Sequence, residues 1–339
     1  MSEQISGAGG IVNVGFTCYA NSVLQAFRHC NKIDELFQED KYNKMLKDKC
    51  KYNDMTIQFA NLVQNLSKIT SSSSIRPNGF WHAFHSAVED SCFEHLSTRQ
   101  PHDAHEFLMF LLDGLHESLS KSVNMRITDC KIVSEKQKSQ QKSLEAWKSQ
   151  FEKQYSHFVD LFFGVFHIQV ICESCKNVSH KFDTFNTLKG VFNNNSSITL
   201  LDSLQADLNK ETIEGYECEN CKPNKTNAIK ITRIWKLPPN LIVVFKRFTY
   251  DGRKINTPIQ LGSMNLESLF SELSPYKNSS KFILNSCVDH HGSIHGGHYT
   301  AQAKNKEHDK WFLYDDQNVH SLENPMIGEN SYILFLEKI

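Results

Sequence analysis

The sequence predicts an α+β protein in which helices come first and strands follow. Between Asp103 and Leu119, apolar residues recur at Ala104, Phe107, Leu108, Leu111, Leu112, Leu115 and Leu119, the stripe of a well-buried helix. From Asp160 onward, short runs of β-forming residues dominate. Helices first and strands afterwards suggest two segregated halves with a cleft between them. At 339 residues, the chain can hold one large domain or two average ones around a substantial core.

The first element is a helix from about Cys18 to Arg28, because Ala20, Val23, Leu24 and Phe27 fall at helical spacing behind Thr17 as N-cap. Gly10 and Gly15 allow tight turns as the chain approaches it. Ser71–Ser74 reads as a loop. Lys131–Lys142 is polar and aperiodic, which predicts an exposed, mobile excursion, and a helix around Leu144–Phe158 follows. Strands are predicted at Phe162–Cys172, Ile229–Trp235, Leu241–Phe248 and Phe282–Val288, then at Tyr299–Ala303, Trp311–Tyr314 and Ser331–Glu337. Asn193–Ser197 is a turn or loop tip. No internal repeat is visible.

Composition excludes several classes. Hydrophobic content of 40% and charged content of 22% are those of an ordinary globular protein. A net charge of −1 gives no reason to expect nucleic acid or an anionic membrane as partner. No apolar run reaches membrane-spanning length, and Met1-Ser2-Glu3-Gln4 does not open a secretory signal. The expected location is therefore the cytoplasm, the nucleus or both, where ten cysteines stay free, bind metal or act in catalysis.

Cys18 stands early in the chain, and His298, behind Gly296 and Gly297, stands late. Asp315 and Asp316 follow a few residues beyond. A thiol nucleophile, a base and a carboxylate that orients the base are the parts of a thiol protease. At a helix start, Cys18 meets the positive end of the helix dipole, which favours its thiolate. A small, inert core cysteine is the other reading of Cys18 alone. Four histidines between 290 and 298 invite a metal, but the helical spacing and carboxylates of hydrolytic zinc motifs are absent. His298 is thus the base, with His290, His291 and His295 read as polar loop residues, of which His290 and His295 can line the cleft.

The run Gly10–Ser22 resembles the cysteine box of the ubiquitin-specific protease family of cysteine deubiquitinases. His290–Tyr299 resembles its histidine box, and Asp103-Ala104-His105-Glu106-Phe107-Leu108 its glutamine-aspartate box. Leu237–Phe248 and Tyr332–Phe335 continue the similarity, in the family's order, from about Gly10 to the C-terminus. The resemblance implies a papain-like fold with a helical thumb, a palm and zinc-bearing β fingers. It implies a short extension at 1–9 and a catalytic domain at 10–339, with the thumb at about 10–158 and the fingers and palm at about 159–339. It places the third triad member at Asp315, with Asp316 as a helper or a solvated turn residue.

The resemblance also puts an oxyanion-stabilising role on Asn13, which as a bare residue reads equally as a turn asparagine. The family has asparagine directly before the Thr-Cys pair, where this chain has Phe16. Asp103 and Glu106 share a helix face and match the box that holds the ubiquitin tail, although Asp103 also suits an N-cap. Gly297 and Tyr299 are expected to line the same channel.

Cys172-Glu173-Ser174-Cys175 and Cys218-Glu219-Asn220-Cys221 each put two thiols on one turn, and together they suit one structural Zn²⁺. Four free cysteines or a redox pair are the alternatives. The implied function is hydrolysis of the bond after ubiquitin's C-terminal glycine, with ubiquitin, ubiquitinated proteins and activating or targeting proteins as partners. A catalytically weak ubiquitin-binding scaffold, or a protease for another ubiquitin-like modifier, are the other readings.

Overall fold

The computed structural model describes residues 5–128, 134–193, 195–293 and 296–339. Seven helices precede the first long strand: α1 (Cys18–Arg28), α2 (Ile33–Phe37), α3 (Asn53–Leu66), α4 (Asn78–Val88), α5 (Ala104–Ser118), α6 (Glu135–Phe151) and α7 (His157–Phe162). Helix α8 (Leu200–Asp207) lies among the strands. The early strands are β1 (Gly10–Ile11), β2 (Ser74–Ile75), β3 (Gly164–Cys172), β4 (Val178–Phe185), β5 (Thr187–Gly190) and β6 (Ile198–Thr199). Then come β7 (Glu211–Tyr216), β8 (Thr226–Lys236), β9 (Asn240–Phe245) and β10 (Ile259–Gln260). The last five are β11 (Phe282–Ser293), β12 (Gly296–Asn305), β13 (Lys310–Asp315), β14 (Asn318–Leu322) and β15 (Ser331–Lys338).

A seven-stranded sheet runs in the order β14-β13-β12-β11-β15-β9-β5, and a four-stranded one in the order β4-β3-β8-β7. The middle of the larger sheet is buried on both sides, which explains the apolar run Leu241–Phe245 of β9. Ile242 and Val244 face the helices with Ile333 and Phe335 of β15. Leu241, Val243 and Phe245, with Leu334 and Leu336, face a second core that also holds α8 residues Leu200 and Leu204. On the helical side, α1 lies against β12, where Ala301 and Ala303 are small enough for close approach. The sheet also meets the exposed carbonyls at the end of α1. Ser286 Oγ donates to Ala26 O at 2.9 Å, Asn285 Nδ2 to His29 O at 2.9 Å, and Asn240 Nδ2 to Asn31 O at 3.1 Å.

Several expectations change. Helix α6 begins at Glu135, inside the stretch read as a mobile excursion; residues 131–133 of that stretch lie outside the description. Its inward face holds Ser139 and Ser143 before Ala146, Trp147 and Phe151, so its apolar stripe is confined to the last turns. The chain breaks after Phe151 and restarts as α7 behind Ser156, whose hydroxyl accepts from Phe158 N–H. Strand β3 accordingly starts at Gly164, and β9 stops at Phe245. Ser74 pairs with Gly10, and Ile5 and Ala8 sit in the core, so residues 5–9 are part of the packed body. Of the predicted tip at 193–197, residue 194 lies outside the description.

Candidate active site

The site begins with how loop 13–17 is held. Asn13 Oδ1 accepts from Gly15 N–H at 2.9 Å, Thr17 N–H at 3.2 Å and the Thr17 hydroxyl at 3.2 Å. Thr17 occupies the N-cap position of α1, but its side chain does not cap the helix. Its hydroxyl accepts from Val14 N–H at 3.1 Å instead. Cys18 is therefore the first residue of α1, 8% exposed. Burial pushes its thiol pKa up, and the Asp316 charge adds to this, while the backbone N–H groups of Tyr299 and Tyr19 pull it down. The helix start does favour the thiolate, but here burial outweighs it.

The adjacent aspartates part company, because the strand ends at Asp315 and the chain turns at Asp316. Asp315, the last residue of β13, accepts from His298 Nε2 at 2.6 Å on Oδ1. That bond leaves Nδ1 as the ring atom available to a thiol. Among the described residues, Cys18 and His298 are not hydrogen-bonded to each other. Within 4.8 Å of Asp315 and the His298 ring stands a carboxylate oxygen of Asp316, which is half-buried in the turn at φ +50°. Its Oδ2 accepts from Asn13 Nδ2 at 2.8 Å, its Oδ1 from Asn21 Nδ2 at 2.7 Å, and its carbonyl from Ile11 N–H at 2.9 Å. It ties the loop before Cys18 and helix α1 to the sheet. Asn21 was missed from sequence. It sits three residues after Cys18 on α1, and only its partner 295 positions away reveals its part.

Beside Cys18 opens a cleft of about 400 Å³, lined by Tyr19, His102, Asp103, Glu106, Phe248, His290, Gly297 and Tyr299 among others. Gly297 has to be glycine, because a Cβ there would meet His290 Nε2 at 2.4 Å and His291 O at 2.5 Å. His290 and His291 are not loop residues but belong to β11, and His290 pairs across the ladder with Tyr299. His290 is 4% exposed, and burial, with the Lys254 charge second, pushes its pKa down to about 4. His295 lies outside the described residues.

Asp103 does cap α5, accepting on Oδ1 from His105 N–H at 2.7 Å and Glu106 N–H at 3.1 Å. Its other oxygen accepts from the Tyr332 hydroxyl at 2.7 Å, which bridges the helical half to β15. Glu106 is about half exposed at the cleft and pairs with His95 Nε2 at 2.9 Å.

At the far end of the smaller sheet, Cys172 and Cys175 sit on the β3–β4 turn, and Cys218 and Cys221 on the β7–β8 connection. All four Sγ atoms lie within 4.8 Å of one another. Cys172–Cys221 is 3.8 Å and Cys175–Cys218 is 3.5 Å. The edge of a tetrahedron with Zn–S of ~2.3 Å is ~3.8 Å, so the four thiols fit one zinc-sized cation.

A model of the ubiquitin carboxyl-terminal hydrolase family matches residues 9–336. The chain belongs to that family. A ubiquitin carboxyl-terminal hydrolase 4 from Vanderwaltozyma polyspora is 27% identical over 372 residues, covering 97% of this chain and 41% of the relative. Ubiquitin carboxyl-terminal hydrolase Usp2 of Drosophila melanogaster is 27% identical over 349 residues, covering 99% and 35%. The human ubiquitin carboxyl-terminal hydrolase 2 is 25% identical over 350 residues, covering 99% and 56%. The chain thus spans about a third to just over half of these relatives' length. Among solved structures, the SAGA Ubp8/Sgf11/Sus1/Sgf73 deubiquitinating module bound to ubiquitin aldehyde is similar, with TM-score 0.74 and 23% identity. That likeness covers 100% of this chain and 71% of the other. The fold is therefore the papain-like one of ubiquitin-specific proteases, with thumb, palm and fingers.

Proposed function

We propose that this chain is a cysteine-type deubiquitinase that hydrolyses the bond after the C-terminal glycine of ubiquitin, chiefly isopeptide bonds to lysine. The observation that carries the reading is Cys18 at the side of a narrow, glycine-lined cleft, with the paired His298–Asp315 on neighbouring strands. Family membership and the ubiquitin named in the solved relatives support it.

In this mechanism, Asp315 holds the Nε2–H of His298 so that Nδ1 can take the Cys18 proton. The thiolate attacks the glycine carbonyl and displaces the lysine amine, which leaves with the proton from His298. Cys18 N–H and the second amide hydrogen of Asn13, whose first is held by Asp316, can steady the oxyanion. Water deprotonated by His298 then cleaves the thioester and restores the thiol. Gly297 and Gly296 give room for a glycine-rich tail, and Asp103 and Glu106 offer carboxylates to its basic side chains.

Zinc is the cation we assign to Cys172, Cys175, Cys218 and Cys221. A four-thiolate shell leaves no position for substrate, so its part is to tie the two hairpin ends together. We place the protein in the cytoplasm or nucleus, where those thiols stay reduced. No helix of the described residues is long and apolar enough to cross a membrane. Ubiquitinated proteins are the substrates in this reading, and targeting or activating proteins its further partners.

The test is a ubiquitin probe with an electrophile in place of the terminal carboxylate. Labelling at Cys18, lost in Cys18→Ser, is expected. Tight binding without labelling means a scaffold, and neither binding nor labelling means another modifier.

A further inference from the structure

Phe16 is the exposed aromatic residue nearest in sequence to the nucleophile, with 58% of its surface open. Its backbone sits at φ +57°, a conformation that a residue with a Cβ adopts at a cost. An exposed ring held in a strained backbone, two residues before Cys18, points to a contact made by the ring itself.

Where that contact lies follows from the chemistry. Resting on the deubiquitinase reading, the departing amine takes its proton from His298, so the leaving group lies on the His298–Asp315 side of Cys18. Loop 13–17 is fastened to that side through Asn13 Nδ2 on Asp316 Oδ2 at 2.8 Å and Ile11 N–H on Asp316 O at 2.9 Å. The cleft for the ubiquitin tail is lined from α1, α5, Phe248 and the β11–β12 hairpin, and none of residues 13–17 borders it. Asn13 Oδ1, with three donors on it, fixes the loop so that Gly15 and Phe16 project outward.

We propose that Phe16 is a specificity-determining residue on the leaving-group side, packing its ring on the methylene stem of the lysine whose ε-nitrogen carries ubiquitin. A lysine stem is apolar along its length with a polar end, which suits an aromatic face beside a polar triad. A leaving group without that stem gains nothing from the ring.

The test compares two substrates, ubiquitin joined by an isopeptide bond to a lysine-containing peptide and ubiquitin extended by a single glycine. Phe16→Ala is expected to lower kcat/KM for the lysine substrate about ten-fold and to leave the glycine extension within about two-fold. Phe16→Leu should keep most of the preference. Phe16→Gly should lose it while holding or raising Tm, because the strain is relieved. Labelling by the electrophilic ubiquitin probe, which carries no leaving group, should be unchanged in all three. An unchanged ratio between the two substrates, or an equal fall in both, overturns the proposal. A wild-type chain that is not labelled at all overturns the deubiquitinase reading and this inference together, so the two failures are told apart.

Discussion

At the scale of single residues, the structure separates two aspartates that sequence reasoning left in competition. Asp315 bonds to His298, and Asp316 bonds to Asn13 and Asn21 on either side of Cys18. Asp315→Ala should lower kcat about a thousand-fold or more with little change in Tm, since an imidazole without its partner loses both tautomer and orientation. Asp316→Ala should behave differently. It strands the amides of Asn13 and Asn21, so stability should fall by about 1–3 kcal/mol together with a smaller fall in kcat. Thermal melts and steady-state kinetics on both variants check this. If Asp316→Ala proves the more damaging in kcat at unchanged Tm, Asp315 is not the orienting group. The partner of Asp315 was legible only through the family resemblance, since order along the chain, a histidine and then a carboxylate, left both aspartates in competition. That of Asp316 was not, because its partners are neutral amides on a helix almost the whole chain away. The burial that pushes the Cys18 thiol pKa up was hidden for the same reason, since desolvation depends on what packs around a residue.

At the scale of elements, the sequence is readable where apolar residues are periodic and silent where they are not. Helix α5 and strands β9 and β15 announce themselves through buried faces. Helix α6 docks through two serines and then Ala146, Trp147 and Phe151, with Lys236 over the Trp147 ring at 4.4 Å, so its stripe covers only the last turns. Its start is fastened by Glu135 to His180 Nε2 at 3.2 Å, and His180 Nδ1 meets His167 Nε2 at 2.8 Å. His167 is fully buried and stacked on Phe182, and burial, with His180 second, pushes its pKa down to about 4. The unfolded chain therefore binds a proton near pH 6.5 that the folded chain refuses until about pH 4, and stability is lost as pH falls through that window. Between pH 7.5 and 5, the wild type should lose about 2 kcal/mol more than His167→Gln in urea unfolding. Buried Asp289, whose pKa is raised by burial, acts with the opposite sign in both proteins and cancels in the difference. Equal losses would mean that His167 is not held neutral. The four-cysteine end of the fingers gives the other element-scale expectation. Metal analysis should find about one zinc per chain, and Cys218→Ser or a strong chelator should lower Tm and activity together. A zinc-free protein with full activity and unchanged Tm would remove the metal from this account.

At the scale of the whole molecule, the site exists only where the two halves meet. Cys18 comes from the helical half and His298 and Asp315 from the sheet, so the bonds that lock the α1 region to β11 and the β13–β14 turn, with the packing of α1 on β12, also set the site. The cleft beside Cys18 straddles the same seam, and Asp103 has three bonds there, two capping α5 and one to Tyr332. That makes Asp103 a poor probe of substrate binding. Asp103→Ala removes a cap worth about 1 kcal/mol and also strands a buried hydroxyl, so a loss of activity could come from either. Asp103→Asn retains a good capping side chain, and Tyr332→Phe removes the bridge alone, so the pair separates these structural parts. Glu106 carries neither burden. It caps nothing, and its contact with the half-exposed His95 is a surface pair whose loss changes stability little. If Glu106 receives a basic side chain of the ubiquitin tail, Glu106→Ala should leave Tm unchanged and raise KM for ubiquitin substrates about five-fold or more, with kcat held. Replacing one tail arginine of ubiquitin by an apolar residue should then cost the variant less than it costs the wild type, which marks a direct pair. His95→Ala should lower KM or leave it unchanged, because it frees the carboxylate for substrate. An unchanged KM in Glu106→Ala would leave α5 as a wall of the cleft, with tail recognition resting on Gly297, Tyr299 and the backbone of the β11–β12 hairpin.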